Sequence, residues 1–151
     1  MNPRDLVFVP VAASDAENLA SLRVEAMRES LERVGRFDPV RARQRFLSSF
    51  LAEHTRAIVL EGQTVGFFVV RPRGQTLFLD HLYVSPAHQN QGIGLAVLQT
   101  VFANADEEGR AVRVGALRGS DSNRFYARHG FELLEEAEFD NHYLRSGRGA
   151  R

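Results

Sequence analysis

Gln89-Asn90-Gln91-Gly92-Ile93-Gly94 is the stretch on which the reading of this chain turns. It lies between an expected strand, Thr76 to Val84, and an amphipathic helical pattern from Ile93 to Ala105. Glycines at its fourth and sixth positions leave backbone N–H groups at a helix start with no side chain in front of them. Such a start has about four N–H groups without internal acceptors and carries roughly half a positive charge. Phosphates bind there readily, and the two glycines let a diphosphate approach the main chain. Taken by itself, the hexapeptide also reads as a Gly-rich turn capping a surface helix.

The neighbouring segments add to it. Leu82-Tyr83-Val84-Ser85-Pro86 ends the strand before the loop, and downstream comes Asn123-Arg124-Phe125-Tyr126-Ala127-Arg128-His129-Gly130-Phe131. Strand, Gln-x-x-Gly-x-Gly loop, helix, strand, then Asn-x-x-Tyr-x-x-x-Gly-Phe resembles the GNAT superfamily of acetyl-coenzyme A-dependent N-acetyltransferases. The resemblance runs from about Leu6 to Arg145 and is strongest from Leu79 to Phe131. Gln89 stands where that family usually has Arg or Gln.

The remaining elements follow from periodicity. Leu6 to Val11 reads as a strand. Ser14-Asp15-Ala16-Glu17 has capping-box spacing, and Leu19, Leu22, Ala26, Leu31 and Val34 recur at helical intervals up to Gly35. A second helix opens with Asp38 as cap and Pro39 in its first turn, with Phe46, Leu47, Phe50 and Leu51 as its apolar stripe. Ala57–Leu60 and Val65–Val70 form a hairpin through Glu61-Gly62-Gln63, and Arg71-Pro72-Arg73-Gly74 turns into the central strand. Val112–Leu117 is a strand, Asp121–His129 a short helix, and Phe131–Phe139 with Asn141–Arg145 a closing pair. The order β-α-α-β-β-β-α-β-α-β-β gives an α/β (α+β) fold with helices on both faces of a mixed sheet. The resemblance implies about seven mostly antiparallel strands, splayed at the cofactor site, in a single domain spanning 1–151.

A chain of 151 residues, 44% hydrophobic and 25% charged, is ordinary for a soluble globular domain. The longest clean apolar run, Val65 to Val70, is far short of a membrane span. With Arg4, Asp5, Asp15 and Glu17 near the start there is no secretory segment, so a cytoplasmic location is expected. The absence of cysteine excludes disulfides, Cys-ligated zinc and a covalent cysteine intermediate. All nineteen basic residues are arginines, which excludes a lysine-bearing P-loop and a Schiff-base lysine. Net charge is zero without long single-sign runs, so neither a nucleic-acid nor a membrane partner is indicated. His88, beside the loop, is expected to face solvent rather than to act in catalysis; His54, His129 and His142 are scattered, and no pair has metal-ligand spacing.

The resemblance implies roles residue by residue. Backbone N–H groups of Gln89, Asn90, Gln91, Gly92, Ile93, Gly94 and Leu95 would hold the pyrophosphate of acetyl-CoA, the co-substrate. The pantetheine arm would lie where the Thr76–Val84 and Val112–Leu117 strands splay, pairing with the backbone of Leu82, Tyr83 and Val84 like an added strand. A backbone N–H of Leu82 or Val84 would polarise the acetyl oxygen. Tyr126 would protonate the leaving thiolate, a tyrosine near 10 facing a thiol at about 8.5; otherwise it packs the short helix on the sheet. Asn123, on the same helix face, would bond the pantetheine arm, or else cap the helix.

Asp80 alternates with Leu82 and Val84 and is the candidate base for the acceptor amine. His81 points the other way, as a sheet-packing or surface residue. Asp80 together with the acidic run Glu132 to Asp140 suggests a pocket for a cationic amine; otherwise the run is a solvated edge. Strand alternation without a bulge would put Glu132, Glu136, Glu138 and Asp140 on one face and Glu135 on the other. The acceptor is an amine-bearing small molecule or a peptide, and family analogy suggests a homodimer. The competing functions are protein N-terminal or side-chain amine acetylation and a non-catalytic acyl-CoA-binding module. A dinucleotide-binding fold would need a third glycine and an earlier loop.

Overall fold

The computed structural model describes residues 5–147; Arg4 and both ends of the expected 1–151 domain lie outside them. Its elements run β1 (Leu6–Pro10), α1 (Ala16–Arg33), α2 (Pro39–Ser49), β2 (Thr55–Leu60), β3 (Gln63–Arg73), β4 (Thr76–Val84), α3 (Ile93–Glu108), β5 (Ala111–Leu117), α4 (Ser122–Arg128), β6 (Glu132–Glu136) and β7 (Asp140–Arg145). The seven strands form one mixed, mostly antiparallel sheet in the order β1-β2-β3-β4-β5-β7-β6. The expected order of elements and fold class therefore hold. Among the described residues no helix is long and apolar enough to cross a membrane.

The chain divides into two compact units, Met1–Val69 with His81–Gly94, and Val70–Asp80 with Leu95–Arg151. In the first, Leu19 and Ala20 of α1, Phe46 of α2 and Phe67 and Val69 of β3 form a buried core. Phe46 and Phe67 are 1% and 0% exposed, their rings 5.1 Å apart. Burial of each contributes about 1.5–3 kcal/mol. The β2–β3 hairpin turns on Glu61 and Gly62, whose φ angles of 51° and 80° suit a two-residue turn that matches strand twist. Asp38 caps α2 as expected, its Oδ1 accepting from the Arg41 N–H at 3.1 Å, with Pro39 at the first position.

Two local expectations fail here. Ser14 does not cap α1; residues Ala13–Asp15 form a 3-10 turn, and the Asp15 carboxylate reaches back to accept from the Ala12 N–H at 2.8 Å. The aspartate offers a charged acceptor where the serine offers a neutral one. The α2 stripe also stops early. The helix ends at Ser49, leaving Phe50 as its C-cap and Leu51 exposed, while Ala42 and Phe46 are buried.

In the second unit β4 and β5 run parallel, from Thr76↔Ala111 to Leu79↔Val114, and β5 pairs with β7 over six positions, Val112↔Arg145 to Leu117↔Asp140. Val112, Val114 and Ala116 form its buried face, and Val97, Leu98, Val101 and Ala105 the buried stripe of α3. Arg145 of β7 lies 4.0 Å from the Phe102 ring centroid and donates both Nη groups to the Asp106 carboxylate at 3.0 Å each. That fork–fork pair fixes β7 to α3.

β6 corrects the acidic-face expectation. Its register with β7 shifts between Leu133 and Glu135, making Leu134 the extra residue of a bulge. Glu132 and Glu135 now oppose Leu144 and His142 and share a face, whereas Glu136 opposes Asn141 on the other. All five residues of β6 are exposed on this edge strand, and of its glutamates only Glu132 lines the open cavity of about 350 Å³ that β6 shares with Leu144 and Arg145 of β7.

Candidate active site

Between β4 and α3 the chain makes a 3-10 turn at Pro86–His88 and then the glycine-containing loop. Two side chains fold back to bond the loop's own carbonyls, Gln89 Nε2 to Val84 O at 2.9 Å and Gln91 Nε2 to Ala87 O at 3.4 Å. Ser85 Oγ and His88 Nδ1 are 2.8 Å apart, which makes His88 part of the loop's scaffold. Asn90 and Gly92 take left-handed φ angles of 63° and 83°. Asparagine tolerates that region and glycine adopts it without strain. A Cβ placed on Gly92 meets nothing within 4 Å, so the space beside the loop is open. Ile93, 1% exposed, anchors the helix start. The residues thus fit an anion: N–H groups at the head of a 16-residue helix, a clear approach, and side chains drawn away from it.

The backbone before the loop is held closely. The Ser85 N–H donates to Val65 O at 2.7 Å, and a Cβ on Gly66 of β3 would stand 2.3 Å from the Tyr83 carbonyl oxygen. Only glycine lets β3 meet β4 there. Gly66→Ala is expected to cost about 1–3 kcal/mol of overpacking and lower Tm by roughly 2–10 °C, measured by calorimetry; an unchanged Tm would contradict this approach.

β4 sorts its side chains by alternation. Asp80, Leu82 and Val84 share one face; His81 and Tyr83 share the other. Arg71 Nε donates to Asp80 Oδ2 at 2.8 Å, with both side chains mostly buried at 14% and 29% exposure. On the opposite face the His81 ring stands edge-on to Phe46 at 5.5 Å, and its Nδ1 lies 3.3 Å from the Tyr83 hydroxyl. Arg23, buried at 8% exposure, donates from Nε to that hydroxyl at 3.3 Å and from Nη1 to the Ala42 carbonyl. Arginine only donates, so the phenol oxygen accepts from it and is free to donate its own proton to His81. Sequence reasoning missed Arg23. Its signal was there: an arginine four residues after Leu19, on the core side of α1.

In α4 the Tyr126 ring is buried at 6% exposure, edge-on to Phe131 at 5.3 Å and 6.3 Å from the Tyr143 ring. Asn123 is a hub. Its Nδ2 donates to the carbonyls of Leu117 and Ser120 at 2.9 Å each, and its Oδ1 accepts from Asn141 Nδ2 at 2.9 Å and the Tyr143 hydroxyl at 2.8 Å. Two donors and two lone pairs are all used. A bond from Asn123 to a pantetheine arm would replace one of these partners, and Asp121, not Asn123, stands at the helix N-cap.

The family model of the acetyltransferase (GNAT) domain matches residues 48–133, more than half of the chain, including the loop and α4. The chain belongs to the GNAT acetyltransferase family and is, in class, an acyltransferase. Solved structures agree in fold. PaiA N-acetyltransferase from Thermoplasma acidophilum, in complex with coenzyme A, matches with TM-score 0.79 at 14% identity over 93% of this chain and 98% of that one. An acetyltransferase from Thermus thermophilus gives 0.76 at 17% identity, covering 97% and 99%. Ard1 from Thermoplasma volcanium gives 0.65 at 18% identity, covering 93% and 95%. No curated protein matches the sequence.

Proposed function

We propose that this chain, as a single N-acetyltransferase domain, moves an acetyl group from acetyl-coenzyme A to a primary amine by direct attack. The observation that carries the proposal is the loop: left-handed Asn90 and Gly92, an open side at Gly92, and both glutamine side chains folded back ahead of α3. Family membership and the coenzyme A bound in a structure of the same fold support it.

Backbone N–H groups from Gln89 to Leu95 take the pyrophosphate, and the main chain of Leu82, Tyr83 and Val84 takes the pantetheine arm in strand fashion. An N–H of Leu82 or Val84 stabilises the oxyanion as the amine nitrogen bonds to the carbonyl carbon. As the C–S bond breaks, Tyr126 gives its proton to the thiolate. Asp80 takes the proton that the nitrogen loses, with Arg71 holding its carboxylate in place. Asn123 is assigned to positioning, since it ties α4 to β5 and β7.

A panel of amines mixed with acetyl-coenzyme A and followed by thiol release tests the proposal; no release above the amine-free rate with any member would overturn it. Asp80→Asn is expected to lower turnover by about a hundredfold, within the range for lost base assistance. An amine with a pKa near 10 is about tenfold more often neutral for each pH unit gained below that value. The deficit should therefore shrink as pH rises from about 7 to about 9. Arg71→Gln serves as the control. If it reproduces the Asp80→Asn loss and neither depends on pH, the pair is structural and Asp80 is not the base.

A further inference from the structure

The second unit contains β4 up to Asp80, with β5, β7 and β6 beside it, and the strand registers align one row of residues across the sheet. Leu79 is opposite Val114, Gly115 is opposite His142, and His142 is opposite Glu135. Asp80 follows Leu79 as Gly115 follows Val114, so Asp80, Gly115, His142 and Glu135 share one face at one level. Val112, Val114 and Ala116 point the other way, into the core. The row is open at its glycine. Gly115 is exposed, and a Cβ placed on it meets only His142, with Nδ1 at 3.5 Å and Cε1 at 3.6 Å. The imidazole therefore leans over β5 toward the strand that carries Asp80. The paired register of β4 with β5 ends at Leu79 and Val114, one residue before the row.

The charged members of the row have partners. Arg71 Nε donates to Asp80 Oδ2 at 2.8 Å, and Arg113 Nη2 stands 4.0 Å from Glu135 Oε2. His142 differs, for its Nδ1 is buried without a hydrogen-bond partner among the described residues. A histidine held for structure ties its ring nitrogens to neighbours, since a buried polar atom left unpaired is unfavourable. With Nδ1 turned onto Gly115, Nε2 is the nitrogen that can meet a ligand, and a neutral imidazole with its hydrogen on Nδ1 offers a lone pair there. Neighbouring strands lie about 4.8 Å apart, so Asp80 and His142 flank Gly115 with roughly 10 Å between their backbones. That leaves room for one nitrogen between a carboxylate and an imidazole.

The reaction needs such a pair. An amine with a pKa near 10 arrives as an ammonium at neutral pH, and the amide it becomes keeps one of three hydrogens, so two protons must leave nitrogen. Asp80 accounts for one. We propose that His142 is the second proton acceptor, which rests on the acetyltransferase reading and adds a residue to it. Asp80 takes the first proton and leaves a neutral amine over Gly115. Its lone pair forms the N–C bond, nitrogen becomes cationic again, and His142 Nε2 takes the second proton. The C–S bonding pair departs with sulfur, which Tyr126 protonates. Of the two protons collected, one restores the Tyr126 phenolate through solvent and the other is released.

The test is replacement of the lost base. Thiol release above the amine-free rate, with the best acceptor of the amine panel, should fall about a hundredfold in His142→Ala, while the Tm rise with acetyl-coenzyme A persists. Added imidazole should restore turnover by about tenfold or more; pyrazole, which has the same shape and is a far weaker base, should not. A merely structural His142 would be rescued by both, through filling of the gap, or by neither. Either of those outcomes overturns the proposal, as does wild-type turnover in His142→Ala. Should that variant unfold, His142→Asn takes its place in the same comparison. Failure of the acetyltransferase reading itself shows separately, as no thiol release from the wild-type protein with any amine and no rise in Tm with acetyl-coenzyme A.

Discussion

Gly92→Glu and Gly94→Glu are each expected to abolish the thermal stabilisation that acetyl-coenzyme A gives the wild-type protein. A ligand at a hundred times its Kd stabilises by about 2.7 kcal/mol, which for a chain of this size is a Tm rise of roughly 5–10 °C. The proposed pyrophosphate site is built from main-chain N–H groups, so side-chain deletion cannot remove it; bulk and negative charge can. At Gly92 the space for a side chain is open, and under the proposal a phosphate would take the same space. A glutamate there also meets a φ of 83°, which strains any residue with a Cβ. Gly94 is the second residue of α3, where a carboxylate favours the helix dipole. Gly94→Glu should consequently fold well without ligand, and its loss is one of binding alone. Differential scanning fluorimetry with and without acetyl-coenzyme A reads both. Equal ligand-induced shifts in wild type and both variants would show that the loop does not hold the pyrophosphate.

That loop was legible because its information is local. Glycine spacing, a preceding strand and a following amphipathic run all lie within a few turns of chain, and the structure starts α3 at the expected Ile93. The bounds of β4 and the Asp38-Pro39 entry to α2 were readable for the same reason. What the sequence hid depends on partners far along the chain. Arg23 acquires its meaning from Tyr83, sixty positions away, and Asn123 from Tyr143, twenty away. Nothing near either residue announces the pairing. The bulge at Leu134 is a third kind of case: one additional residue reverses which glutamates share a face, and no turn residue marks it. Local main-chain features can be read from pattern, whereas side-chain contacts between separate elements cannot.

Tyr126→Phe is expected to keep acetyl-coenzyme A binding and lower turnover by roughly ten- to ten-thousand-fold, the span for lost acid–base assistance. The substitution removes one oxygen and keeps the ring. That ring supplies the packing, 6% exposed and set against Phe131 and Tyr143, so stability and the ligand-induced Tm shift should change little. Proton supply to the departing sulfur is what goes. A phenol near 10 protonates a thiolate of about 8.5 only slightly uphill, which makes it a competent acid once the thiolate has formed. The resulting phenolate is then restored by solvent or by the proton released from nitrogen. An acetyl thioester with a much more acidic thiol needs this help less, so the variant's deficit should shrink with such a donor. A packing role predicts no deficit with either donor, since the ring that packs is kept. Wild-type turnover in Tyr126→Phe with a good acceptor would confine Tyr126 to packing and leave solvent as the acid.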